Sequence, residues 1–198
     1  MNQIKKYFDT QSSNYEIKSN NFPWSFIRNK ENIFFTKAAF STKNKNILDL
    51  GSGSGYYTKL FSKNNNLYAV DISSQMLKKL PKKNVNPILA DAAEVKINKK
   101  FDLILIAGLL EFVDNFEKVL KNAERHLKNN SNLIILFPRN NIFGKMYKLF
   151  HKKNNIEIKL FSMSEIELIL SNLNISVIKK KFIFPFSATI IAKKKINN

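Results

Sequence analysis

Three glycines at alternate positions, Gly51, Gly53 and Gly55, are the residues whose spacing points most directly to chemistry. They stand in NILDLGSGSGYYT (residues 46–58), where Ile47, Leu48 and Leu50 read as a buried strand. A helix carrying Leu60 and Phe61 is expected to start near Tyr56. Glycine lets the backbone turn tightly and lets a ligand approach the main chain closely. A strand, a glycine turn and a helix N-terminus in succession should offer free N–H groups and a positive dipole end to an anion, a pyrophosphate or a carboxylate. Two carboxylates end the next two strand-like stretches, Asp71 after LYAV and Asp91 after PILA. Asp71 lies near the roughly 20-residue spacing at which an acid meets a ribose diol. For each the plainer reading is a cap on the helix or turn that follows.

The dinucleotide fingerprint G-x-G-x-x-G does not fit, because its sixth position is Tyr56. The glycines run G-x-G-x-G, and the stretch resembles motif I of the class I S-adenosylmethionine-dependent methyltransferases, a hydrophobic pair followed by D-x-G-x-G-x-G. The resemblance implies that Gly51, Ser52, Gly53 and Gly55 surround the methionine part of S-adenosyl-L-methionine. Asp49 would steady the loop or reach the amino group. It implies Asp71 on the ribose, Ile72 and Met76 against the adenine face, Asp91 on the adenine amino group and the Ala92 N–H toward the ring. Core packing is an equal reading for Met76. Ala107 ends the fourth strand, which faces the methyl-transfer site in this family. S-adenosyl-L-homocysteine would be the product. YFDTQSSNYE (residues 7–16) is similar to the Y/F-D-x-x-A-x-x-Y segment that folds over the cofactor in many small members. Ser12 stands where the alanine would be, and Tyr15 would cover the ligand; a helical arm packed on the sheet is the alternative.

The chain also departs from family patterns. After the fourth strand it reads Gly108-Leu109-Leu110-Glu111-Phe112, without the [DN]-P-P-[YFW] of enzymes that methylate exocyclic base amines. Phe112 replaces the histidine of a glutamate-histidine pair common in small-molecule members. A base is needed only where the acceptor must lose a proton. Tyr15, Glu111 and His151 are the candidates, whereas His126 ends a crossover helix away from the ligand edge. No metal-ligand cluster is visible.

The elements that must position these residues follow in order. A helical arm (1–45) carries an approximate stripe of Ile33, Phe34, Lys37, Ala38 and Phe40. The cofactor-binding core (46–139) has strands at 46–50, 67–71, 86–90, 101–107 and 132–137, with a helix at 115–128. The run FDLILIA is apolar throughout, as in a central parallel strand covered on both faces. A basic, aromatic segment (140–161) places Phe143, Met146, Tyr147 and Phe150 at helical spacing among lysines. A substrate lid is the preferred reading; docking on an anionic membrane and plain core packing are the others. The end (162–198) holds a helix with a Ser162–Glu165 capping box and two strands around Pro185. The expectation is one α/β domain over residues 1–198, with the family's seven-stranded, mostly parallel sheet, strand order 3-2-1-4-5-7-6 and an antiparallel final strand.

Composition narrows the function classes. The chain of 198 residues has no cysteine, which excludes disulfides and thiolate chemistry. Its longest apolar run (103–110) is too short to span a bilayer, and its start has no secretory h-region, so a cytoplasmic protein is expected. Of 33 basic residues only Arg28, Arg125 and Arg139 are arginine, and the net charge of +18 reads either as compositional bias or as attraction to an anionic partner. The resulting expectation is methyl transfer to a small or lipid-like molecule, with oxygen the favoured acceptor atom. An RNA or protein methyltransferase recruited by the lysines is one alternative, and a non-catalytic adenosyl-binding scaffold partner is another. No oligomeric state is implied.

Overall fold

The computed structural model describes residues 2–12 and 24–196. Its centre is a seven-stranded sheet of order β3-β2-β1-β4-β5-β7-β6, as expected. The strands are β1 (Asn46–Leu50), β2 (Asn66–Asp71), β3 (Val85–Leu89), β4 (Phe101–Ala107), β5 (Leu127–Pro138), β6 (Ile175–Ile183) and β7 (Ser187–Lys194). The first five pair in parallel, and β7 runs antiparallel between β5 and β6. In β4 the residues Ile104, Leu105 and Ile106 are fully buried. Successive side chains point to opposite faces, so Ile104 and Ile106 enter one core while Leu103 and Leu105 enter the other. Helices cover both faces, which is why the run carries no polar residue between Leu103 and Ala107.

On the first face α5 (Phe116–His126) buries Val119, Leu120 and Ala123, and α7 (Met163–Asn172) buries Ile166 and Leu170. The capping box of α7 is formed in both directions, Ser162 with Glu165. On the second face lie α2 (Trp24–Phe40) and the single turn α3 (Thr58–Phe61), beside the short α4 (Ser74–Leu77). The expected stripe on α2 needs correction. Ile33 and Phe40 are exposed, and the buried face is Ile27, Glu31, Phe34 and Phe35, which recur at helical intervals of three to four residues. A carboxylate therefore sits on the apolar side of this helix.

Strand β5 begins five residues earlier than expected, at Leu127, directly after α5. Leu127 pairs with Phe101 across a register shift and is buried, so its side chain is worth more in the core than in a further helical turn. His126 is buried at that junction; its Nε2 accepts from the Ile97 N–H at 3.1 Å and its Nδ1 lies 2.8 Å from the Asn122 carbonyl. Both ring nitrogens are spent on backbone, which gives His126 a structural role.

Residues 140–161 leave and rejoin the sheet at one point. The Asn140 N–H donates to the Phe161 carbonyl and the Phe161 N–H to the Pro138 carbonyl. Between them α6 (Ile142–Lys153) is capped by Asn141, whose side chain accepts from the Gly144 N–H at 2.8 Å and donates to the Pro185 carbonyl at 3.0 Å. Gly144 permits this seating, because a Cβ there would collide with the Arg139 carbonyl oxygen. Gly144→Ala is expected to cost about 1–3 kcal/mol, read as a lower thermal midpoint. An unchanged midpoint would contradict the packing of α6.

Candidate active site

The C-terminal ends of β1, β2, β4 and β5 open into a cavity of about 420 Å³, within the size range of small-molecule sites. Helix α1 (Asn2–Gln11) closes one side with Ile4, Tyr7 and Phe8; α2 adds Ile27, Arg28 and Glu31; α6 adds Tyr147, Phe150 and His151. Helix α1 is held by Asp9, which accepts from the Ser73 hydroxyl and pairs with Lys5 at 2.7 Å.

The glycine turn differs from the anion cradle expected of it. The Gly51 and Ser52 N–H groups donate to the Val70 carbonyl, Gly53 donates to Asp71 at 2.8 Å and Gly55 to the Ser52 carbonyl. These four donors are consumed within the protein. The helix that follows is only Thr58–Phe61, too short for a strong dipole end. What the turn does provide is close approach. Gly53, at φ +55°, has open space where a Cβ would stand, and a Cβ on Gly51, at φ +74°, would strike Leu109 at 2.8 Å. Gly55 packs against Leu80 and does not line the cavity.

Asp49 is also outside the cavity lining. It is buried under the turn and accepts from the Thr58 hydroxyl at 2.6 Å, which fits a loop-steadying role and not contact with a ligand. Burial pushes its pKa up to about 7. With the folded value above the ordinary one near 3.8, the native state holds its proton longer than the unfolded chain. Stability is then full below about pH 4 and declines as pH rises toward 7. Asp49→Asn keeps an acceptor for Thr58 and is expected to raise the thermal midpoint at pH 8 while leaving it unchanged at pH 4. Equal effects at both pH values would contradict a desolvated carboxyl.

Asp71 lines the cavity at the end of β2, with one oxygen bound to Gly53 N–H and the other to Ser73 N–H at 2.9 Å. Each oxygen keeps a lone pair for a ligand. Asp91 lines it beyond β3 while its side chain accepts from the Ala93 N–H at 2.8 Å, so it caps a turn and faces the cavity at once. Ile72, Met76, Ala92 and Ala107 are lining residues too, Met76 almost wholly buried. Tyr15 lies outside the described residues.

Four buried polar atoms around this cavity have no hydrogen-bond partner among the described residues: the hydroxyls of Ser52 and Ser54, Glu111 Oε2 and His151 Nδ1. Orphaned buried polar atoms are rare in folded proteins and costly. Their convergence on one space marks a site built to bind. Glu111 belongs to a 3₁₀ turn, Leu110–Phe112, held by the Lys159 N–H on its carbonyl at 2.9 Å. Burial drives its pKa up to about 8, with the nearby Glu31 charge adding to the shift. His151 is surrounded by Tyr7, Phe112, Tyr147 and Phe150, with Tyr147 4.5 Å away between ring centroids. Burial lowers its pKa to about 4, so the ring is neutral at pH 7.

Glu31 was not read from the sequence as a site residue. It accepts from the Tyr57 hydroxyl at 2.6 Å and from the Ser187 hydroxyl, joining α2, the glycine turn and β7 at the cavity wall. Its one sequence signal is an acid four residues after Ile27 on an apolar helix face. Ser54, Arg28 and Phe186 were likewise not expected here, whereas Tyr7, Phe8 and Phe112 belong to the two stretches expected to cover the cofactor and face the transfer site. Among the described residues no group of three or more His, Cys, Asp or Glu side chains could hold a metal ion.

Residues 48–135 match the family described as Methyltransferase domain. An uncharacterised protein of Methanocaldococcus jannaschii is 32% identical over 136 residues, 67% of this chain and 65% of its own length. A malonyl-[acyl-carrier protein] O-methyltransferase of Priestia megaterium is 29% identical over 60% of this chain and 45% of its own. The chain thus spans less than two thirds of these relatives. The crystal structure of magnesium protoporphyrin IX methyltransferase from Synechocystis, with S-adenosylhomocysteine bound, superposes with a TM-score of 0.79, at 15% identity over 97% of this chain and 98% of that one. Residues 48–135 thus match the methyltransferase-domain family, and the whole chain has the class I methyltransferase fold, by its strand order and its likeness to the solved methyltransferase.

Proposed function

We propose that the protein transfers a methyl group from S-adenosylmethionine to a small or lipid-like acceptor, at oxygen, in the cytoplasm. The observation that carries this reading is the buried Glu111 carboxyl, its Oε2 without a partner, in the same cavity as the orphaned Ser52 and Ser54 hydroxyls and the two strand-end acids. The residues present fit the cofactor. Asp71 would hold the ribose diol, Asp91 and Ala92 the adenine, and the two serine hydroxyls the methionine part. The bound cofactor supplies a sulfonium methyl that a nucleophile can displace in line.

The chain's own residues orient the partners and exclude water. Tyr7, Phe8, Phe112 and Tyr147 wall the acceptor side, with α6 acting as a substrate lid. Ionised Glu111 takes the proton of an attacking hydroxyl as the carbon–oxygen bond forms and the carbon–sulfur bond breaks. A carboxyl with a pKa of about 8 is a stronger base than an ordinary one and is substantially ionised at mildly alkaline pH. His151, neutral and with its Nδ1 unpartnered, would accept a hydrogen bond that aims the acceptor. The O-methyltransferase named among the relatives supports the oxygen assignment.

Hydroxylated and amine-bearing small lipids, offered together with methyl-tritiated S-adenosylmethionine, test the assignment. Label is expected in the hydroxylated products. Label confined to amines would overturn the oxygen assignment, and bound cofactor without transfer to either would overturn catalysis on this acceptor class.

A further inference from the structure

Helix α6 is apolar on two opposite sides. Its inner side turns Tyr147 and His151 to the cavity. Its outer side presents Ile142, Met146 and Leu149, which are 72%, 61% and 60% exposed, at the i, i+4, i+7 spacing of one helical stripe. A second apolar patch adjoins the stripe: the Phe143 ring meets Phe184 at 5.4 Å, and Lys30 Nζ lies over both Phe184 and the exposed Phe26. Exposed lysines flank it, Lys145 and Lys152 along one edge and Lys153 at the end.

We infer that this face docks on an anionic lipid bilayer. Protruding aliphatic and aromatic side chains bordered by lysines are the surface that lies in a membrane interface, the apolar groups entering the acyl boundary and the ammonium groups meeting lipid phosphates. An acidic protein would be attracted by the lysines but gives no reason for three aliphatic side chains standing out from a convex helix. The net charge of +18 adds long-range attraction to the same surface. The helix that docks is also a wall of the cavity, so docking places the cavity beside the bilayer. The inference holds whichever acceptor is methylated.

Flotation with vesicles tests it, comparing phosphatidylcholine alone with an equal mixture of phosphatidylcholine and phosphatidylglycerol. The wild-type chain should float with the anionic vesicles only. Ile142→Ser, Met146→Ser and Leu149→Ser combined should weaken that binding by roughly tenfold or more. Lys145→Gln, Lys152→Gln and Lys153→Gln combined should weaken it on the order of a hundredfold. All six positions are exposed, and S-adenosylhomocysteine binding should be unchanged in both variants. Failure of the wild type to bind anionic vesicles would overturn the inference, as would full binding by the serine variant. So would capture by an acidic carrier protein without vesicle binding.

Discussion

Replacing Asp71 by alanine should weaken S-adenosylhomocysteine binding on the order of a hundredfold or more, since two hydrogen bonds to a charged acceptor are lost. The carboxylate does two jobs. Its oxygens hold the Gly53 and Ser73 N–H groups at 2.8 and 2.9 Å, which fixes the turn that a ligand must approach, and each oxygen has a lone pair left for the ribose. Alanine removes both contributions and leaves two backbone donors unpaired beside the cavity. Asp71→Asn keeps the shape but turns one acceptor into a donor, so it should fall between wild type and alanine. Calorimetric titration reads this directly. An alanine variant within roughly threefold of wild type would show that the ligand does not engage the end of β2.

The second large effect is kinetic. Glu111→Gln should lower the rate of transfer to a hydroxyl acceptor by about 10²–10⁴-fold with little change in cofactor affinity. The wild-type kcat/KM should rise with pH and level off above about 8, following ionisation of the buried carboxyl, and the glutamine variant should lose that dependence. Stability should move the opposite way. A folded pKa of about 8 against an ordinary value near 4.5 means the fold loses stability as pH climbs between the two, because the native state must release a proton it holds more tightly. Glu111→Gln removes that penalty, so at pH 8 it should melt at higher temperature than wild type while turning over more slowly. Lower activity with lower stability would instead mark Glu111 as a packing residue.

The parts of this site that were legible in the sequence are those fixed by short-range order. The G-x-G-x-G turn, Asp71 and Asp91 each sit at the end of a strand whose apolar run announces it. The parallel register then brings those ends together, Leu50 beside Val70 and Ile106. The continuous run of β4 gave away the doubly covered sheet for the same reason.

What was hidden depends on tertiary contact. Glu31, Tyr57 and Ser187 meet across 156 residues of chain, and no local pattern links them. The N–H groups of the glycine turn were expected to be free, but the parallel neighbour β2 supplies the Val70 carbonyl and the Asp71 carboxylate to them. The buried side of α2 is not legible locally, because Ile33 and Phe40 are as apolar as the residues it buries and Glu31 meets Ser187 of β7 only in the fold. Strand β5 was drawn too short because Asn129 and Asn130 resemble a helix stop. In the fold they lie within a strand that pairs at Leu127 and again from Asn132, in the register shift between the two, with Asn130 at φ +60°.

The central claim, that the cavity under α1 and α6 is an S-adenosylmethionine site, is tested most directly by calorimetric titration of the wild-type chain with S-adenosylhomocysteine and, separately, with NAD. One equivalent of S-adenosylhomocysteine should bind and NAD should not, because the Gly51, Ser52, Gly53 and Gly55 N–H groups are bonded within the protein and are not offered to a pyrophosphate. Uptake of NAD in its place, or of neither ligand, would contradict the claim.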